Sequence, residues 1–272
     1  MPILGDRRLR RVGSDDRLSV VEHLDELRNR LIVSGVVLIV AFAVAYAYHE
    51  QLIDLLEQPL PDRFKESGLI TLSPTEPFFT TLKVCFWAAI IASVPVWLYQ
   101  LYAFVIPAVQ DQSRRRMLLV VAGASSLFLA GVAFGFFVVL PVALQFLLDY
   151  GGDSFQTQVR AGEYFSFVTT LMLGSGLMFE VPVAMVALAR IGVTTAGFYV
   201  RHWRVAIVLI AALAAILPGG DPFSMLLLMI PQIALYGLGI LLAQRFGQPP
   251  LWAREAWADA EPDDDDTVHG VT

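Results

Sequence analysis

Long uncharged apolar runs, divided by short segments that hold most of the charge, organise this sequence. A helix that crosses a bilayer needs about 20 mostly apolar residues. Leu31 to Tyr48 meets that length and closes on Tyr46 and Tyr48, side chains suited to a membrane–water interface. Val84 to Val109 is uncharged, with Pro95 inside and Pro107 near its end. Met117 to Leu148 is too long for one upright crossing, and Pro141 predicts where its helix stops or bends. Tyr164 to Ala189 carries one charge, Glu180. The last stretch, Val205 to Gln244, is broken by the turn formers Pro218-Gly219-Gly220-Asp221-Pro222. It reads as a hairpin of two short helices, Val205 to Leu217 and Phe223 to Gln244, with Pro231 kinking the second. The first of these is only about 20 Å long.

The expected fold is an all-α integral membrane protein with six transmembrane helices. Basic residues set its orientation. With the N-terminus inside, the inner segments hold fifteen Arg, and the outer ones hold Arg63, Lys65, Lys83 and Arg160. Both termini are therefore expected inside. Residues 1–30 form a cytoplasmic arm and amphipathic helix, 31–246 the membrane domain, and 247–272 an acidic, disordered tail. The long outer segments His49 to Leu82 and Asp149 to Glu163 are expected to build an extracytoplasmic cap that buries Phe78 and Phe79.

Composition supports a lipid environment: 56% hydrophobic, only 16% charged, and a mean hydropathy of +0.63. Ordinary globular domains carry roughly 25% charged residues. The net charge of −6 comes from the tail, where seven acids follow Arg254 with no Lys or Arg among them. A single cysteine, Cys85, rules out an internal disulfide. No cleavable signal peptide is visible, and the first apolar run reads as an uncleaved span. Metalloprotease, Walker-type and nucleophile-elbow patterns are absent, so an enzyme is disfavoured. No cofactor, metal site or nucleic-acid partner is expected.

Two places carry candidate chemistry. Ser19-Val20-Val21-Glu22 is a capping-box pattern that predicts a helix start at Ser19. Beyond it Leu24, Leu27 and Leu31 share an apolar stripe, while Glu22, Glu26 and Arg30 share another face at four-residue steps. That charged face is either a solvated surface laced by weak ion pairs or an anionic docking surface for guanidinium groups. Glu180 lies deep in an apolar run, where an ionised group costs about 2.5–3.5 kcal/mol on insertion scales. It is expected to face a polar cavity, pair with a partner or stay protonated. Gly174-Ser175-Gly176 nearby permits close helix approach. A proton-coupled small-solute transporter using Glu180 is the second reading that these residues leave open.

The segment His23-Leu24-Asp25-Glu26-Leu27-Arg28-Asn29-Arg30-Leu31 resembles the N-terminal signature of the TatC family, the multi-span subunit of the twin-arginine protein translocase. Ser73-Pro74-Thr75-Glu76-Pro77-Phe78-Phe79, Tyr99 to Ala108, Phe179-Glu180-Val181-Pro182-Val183 and Asp221-Pro222-Phe223-Ser224 follow in the family's order. The resemblance implies a receptor in the cytoplasmic membrane that binds twin-arginine signal peptides and assembles, as a homo-oligomer within a complex, with single-span TatA/TatB-type partners. Export of folded proteins would then draw on the proton-motive force. It also implies residue roles: Glu26 as main carboxylate for the arginine pair, Leu27, Arg28 and Arg30 beside it, and Gln100, Phe104 and Arg115 around the first inner loop. Glu180 corresponds to the family's intramembrane acid, and Pro59 and Asp221 to positions on the outer side that contact partners. Ser113 stands where the family often has an acid, which leaves Asp111 or Asp25 as a second carboxylate. Pro218 and Met225 replace polar groups that dock a partner helix in some members.

Overall fold

The computed structural model describes residues 20–105, 114–150, 158–216 and 222–248. They are helical almost throughout; β structure among the described residues is a single isolated bridge between Ile70 and Arg160. In chain order come α1 (Val20–Ala47), α2 (His49–Glu57), α3 (Asp62–Ser67), α4 (Glu76–Val105), α5 (Arg114–Phe134) and α6 (Leu140–Asp149). After them come α7 (Ala161–Phe179), α8 (Val181–Ile191), α9 (Ala196–Arg201), α10 (Trp203–Ile216) and α11 (Pro222–Phe246). Five stretches are long and apolar enough to cross a membrane: Leu24–Ala47, Glu76–Phe104, Met117–Asp149, Ala161–Ile191 and Pro222–Phe246. The 14 residues of α10 reach about 21 Å, against a hydrocarbon core of about 30 Å. Of the final pair only α10 is short. The other, α11, keeps 25 residues in one helix with Pro231 inside it, and so overturns the expected two short helices.

Apolar side chains gain little by leaving lipid for each other, so helices in a membrane associate through close packing and polar contacts. The central pair, α7 and α5 with the residues that directly follow α5, meets through glycine. A Cβ on Gly135 would come 2.7 Å from Ser175 Oγ, and one on Gly176 would come 2.7 Å from Phe128 Cε2. On one side α4 packs against this pair and also carries α1; on the other, α8 and α10 pack on α11. Side-chain donors on α4 reach α1 backbone carbonyls, with Trp97 Nε1 donating to Ser34 O at 3.2 Å and Cys85 Sγ to Ala45 O at 3.6 Å.

Two irregularities interrupt the long stretches, both beside proline. A π-helical segment, Gly135–Val139, joins α5 to α6, and Pro141 sits in the first turn of α6. Pro141 therefore does not stop the helix. Its missing N–H is absorbed where the helix has widened by a residue. Glu180 forms the turn between α7 and α8, just before Pro182; its N–H bonds back to Leu177 O at 3.1 Å, and its carbonyl accepts from Ala184 N at 2.9 Å.

At one end of the bundle, α2 and α3 pack onto the helix ends around Leu56, Leu60, Phe64, Leu140 and Tyr164. Tyr164 Oη donates to Leu56 O at 2.7 Å, and Arg63 pairs with Asp149. Ile70 N bonds Val159 O at 3.0 Å, and Ala161 N bonds Ile70 O at 2.9 Å. Phe78 and Phe79, expected to be buried here, are 57% and 62% exposed. They fall in the first turn of α4, which starts at Glu76 rather than at Val84, so their rings lie on an outward helix face that lipid can cover.

Overpacking a close helix contact costs roughly 1–3 kcal/mol. Gly135→Leu is therefore expected to lower the thermal midpoint in detergent, while Gly123→Leu, whose Cβ meets nothing within 4 Å, leaves it unchanged. Equal midpoints for the two variants would overturn the glycine contact.

Candidate functional site

At the N-terminal end of α1, the C-terminal turns of α4 lie alongside. Arg30 bridges the two helices. Its Nε donates to Glu26 Oε1 at 3.0 Å, its Nη1 to Gln100 Oε1 at 3.0 Å and its Nη2 to Ala103 O at 3.2 Å; Nη2 also pairs with Glu26. The i,i+4 spacing on one helix face brings Glu26 under the guanidinium, and Gln100 and Ala103 come from the neighbouring helix at three-residue spacing. Both Arg30 contacts fall on the same carboxylate oxygen. Among the described residues no donor occupies Glu26 Oε2.

An open groove of about 520 Å³ lies against this cluster, lined by Asp25, Glu26, Asn29, Arg30, Val33 and Gln100. Two carboxylates face one guanidinium there, so the lining is net acidic. Glu26 and Arg30 are mostly buried, with side-chain exposures of 28% and 21%, so their charges are held in place. Such a groove can accept a cationic fork: a guanidinium brings paired N–H donors that match a carboxylate edge.

Several expected site residues thus come together, and others do not. Glu26, Arg30, Gln100 and the alternative acid Asp25 share the groove. Phe104 is half-buried one turn beyond Gln100. Leu27 and Arg28 point away and are exposed, as are Leu24 and Leu31, at 58% and 71%. The apolar stripe of this helix therefore faces outward while the charged face is the one packed on α4, because Arg30 finds its acceptors there. Arg115 is exposed in the first turn of α5. Pro59 lies after α2, at the opposite end of the bundle. Ser19, Asp111, Ser113, Pro218 and Asp221 lie outside the described residues. Asn29 and Val33 were missed from the sequence, although their spacing, four and eight residues after Asp25, puts them on its face.

Glu180 stands apart, in the turn within the Ala161–Ile191 stretch. Its Oε1 is buried with no hydrogen-bond partner among the described residues, and the nearby Ser175 Oγ is in the same condition. A buried unpaired acceptor costs on the order of 1–3 kcal/mol, so this acid is a poor choice for stability alone. Among the described residues no group of His, Cys, Asp and Glu is arranged to hold a metal ion.

A bundle of apolar helices with a charged groove at one end and an isolated acid within one of its long stretches describes a polytopic membrane protein. Comparison with known proteins makes this specific. The family model for Sec-independent protein translocase protein TatC matches residues 22–231. The Campylobacter jejuni TatC protein is 36% identical over 84% of this chain and 94% of its own length. The chloroplastic TATC of Arabidopsis thaliana is 35% identical over 86% of this chain and 68% of its own length. A crystal structure of a twin-arginine translocase receptor, TatC, superposes with a TM-score of 0.74 at 33% identity, covering 82% of this chain and 99% of that one. The chain belongs to the TatC family and is a membrane component of the twin-arginine protein translocase.

Charge-assisted hydrogen bonds contribute about 1.5–3 kcal/mol each when buried. Arg30→Met keeps the apolar stem and removes the bonds to Gln100 and Ala103. It is expected to lower unfolding stability by about 1–3 kcal/mol, read by thermal melting in detergent. An unchanged midpoint would show that Arg30 does not tie α1 to α4.

Proposed function

We propose that this chain is the receptor subunit of the translocase and that its α1–α4 groove takes the arginine pair of a twin-arginine signal peptide at the cytoplasmic face. The observation that carries the reading is Glu26, fixed by Arg30 with Oε2 left to the groove and Asp25 alongside. An incoming guanidinium would engage Oε2, and the second arginine would have Asp25 and Asn29 within the same lining. Lysine, a point charge without the planar fork, fits this edge less well.

In this reading both termini are cytoplasmic, α10 and α11 form the fifth and sixth crossings, and α2 and α3 form an extracytoplasmic cap. The distribution of basic residues supports that orientation. Single-span TatA/TatB-type proteins then join the receptor, with Pro59 and Asp221 on the outer side, and folded cargo crosses the cytoplasmic membrane on the proton-motive force. Glu180, unpartnered at mid-depth, serves translocation rather than peptide docking. The family match favours this over a proton-coupled small-solute transporter.

A photocrosslinker at Asn29 or Val33 tests the groove. A twin-arginine peptide is expected to label at least about tenfold more than its twin-lysine counterpart, and Glu26→Gln is expected to remove most of that difference. Equal labelling by the two peptides would sink the proposal. Glu180→Ala is expected to leave labelling intact while cutting export of a folded reporter from intact cells. Unimpaired export would return Glu180 to a packing role.

A further inference from the structure

The bundle has a second polar cavity at its other end, about 290 Å³, between the first turns of α4 and α7. Its floor is a closed ion pair. Glu76 accepts from Arg160 Nε at 2.8 Å and Nη2 at 3.2 Å, and from the backbone N–H groups of Leu72 at 2.9 Å and Gly162 at 3.2 Å. The side chain is only 7% exposed. This carboxylate is saturated, while Arg160 gives it two of its five N–H donors.

Two further charges line the cavity, neither of them closely paired. Lys83 Nζ donates to Ser166 Oγ at 2.9 Å, and among the described residues no carboxylate lies within 4.0 Å of it. Its ammonium keeps two further N–H donors. Lys83 is seven residues into a membrane-crossing helix, about 10 Å along the axis from Glu76. A lysine at that depth is expected to reach a polar group at the interface. Glu163, on the other wall, is 81% exposed, and its one ion pair among the described residues is a loose 4.0 Å contact with Arg160 Nη1. It precedes Ser166 by one turn of α7, about 4.5 Å nearer that end of the bundle.

The cavity thus offers a cation deeper in the membrane and an anion nearer the surface. A phospholipid headgroup carrying a phosphate below a primary amine has the complementary order. Phosphatidylcholine brings the phosphate but no N–H donor for Glu163; phosphatidylglycerol brings no cation. Phe79, exposed beside the cavity, lies where the glycerol and upper acyl chain of such a lipid would run. We propose that the cavity between α4 and α7 is a binding site for a phosphoethanolamine headgroup, with Lys83 and Ser166 taking the phosphate and Glu163 the ammonium.

The test uses the full chain, delipidated in detergent and exposed to equal amounts of phosphatidylethanolamine, phosphatidylcholine and phosphatidylglycerol, with retained lipid read by native mass spectrometry. The ethanolamine lipid is expected to be retained about tenfold over the choline lipid, the size of one charge-assisted hydrogen bond. Glu163→Gln should abolish that preference without reducing choline-lipid retention. Lys83→Gln should weaken both about tenfold, and Lys83→Arg should restore them. Soluble glycerophosphoethanolamine should compete better than glycerophosphoglycerol, which separates the headgroup chemistry from acyl anchoring. A preference that survives Glu163→Gln, unchanged retention in Lys83→Gln, or equal competition by the two soluble compounds would overturn the proposal. Peptide labelling at Asn29 reads the opposite end of the bundle, so either idea can fail while the other stands.

Discussion

Polar groups inside hydrocarbon have no water to bond, and the described helices are arranged around that constraint. Long helices satisfy their own backbone, and the π segment where one departs from α geometry puts three of its five residues inward. The π segment buries Gly135, Phe136 and Val139 against its neighbours. The turn at Glu180 comes directly after the glycine-rich surface where α7 meets α5. Polar side chains that enter the bundle likewise find partners: Trp97 reaches a carbonyl of α1, and Tyr164 one of α2. Against that background several buried oxygens, among them those of Ser125, Ser175, Gln232 and Glu180, have no partner among the described residues, and Glu180 is the acid among them, where an unpaired oxygen is most costly.

Arg30 links helix packing to the proposed docking groove. The guanidinium that fastens α1 to Gln100 and Ala103 also fixes the position of Glu26. A second guanidinium arriving at that carboxylate would compete for the charge that Arg30 now holds. If the proposed docking holds, it and the α1–α4 contact are coupled through one guanidinium, and a bound peptide would shift that contact by as much as its differential affinity allows.

The helix α4 carries both polar ends of the molecule. Glu76 opens it, clamped to Arg160, and Gln100 and Ala103 lie in its last turns beside the groove. Its 30 residues make a strut of about 45 Å. Along that strut lie the contacts with α1, α5 and α7. The groove and the far-end cavity are thus built on one continuous helix, which holds their spacing constant.

Much of this was written in local sequence. Hydrophobic run length and the Pro-Gly interruption determined the helices, because a bilayer admits only segments of a set length with few charges. The signature around Glu26 located the groove on α1, because helical periodicity puts residues four apart on one face. What periodicity could not decide was which face of α1 would pack. Leu24, Leu27 and Leu31 look like the buried stripe by the rules of water-soluble proteins, yet in lipid apolar side chains lose nothing by facing outward. The charged face turned inward because Arg30 found acceptors on α4, seventy residues away in sequence. The same reversal left Phe78 and Phe79 exposed, and the π segment before Pro141 let it stay within a helix. Each outcome depends on what a neighbouring helix or the lipid offers to a side chain, and only the tertiary structure determines that.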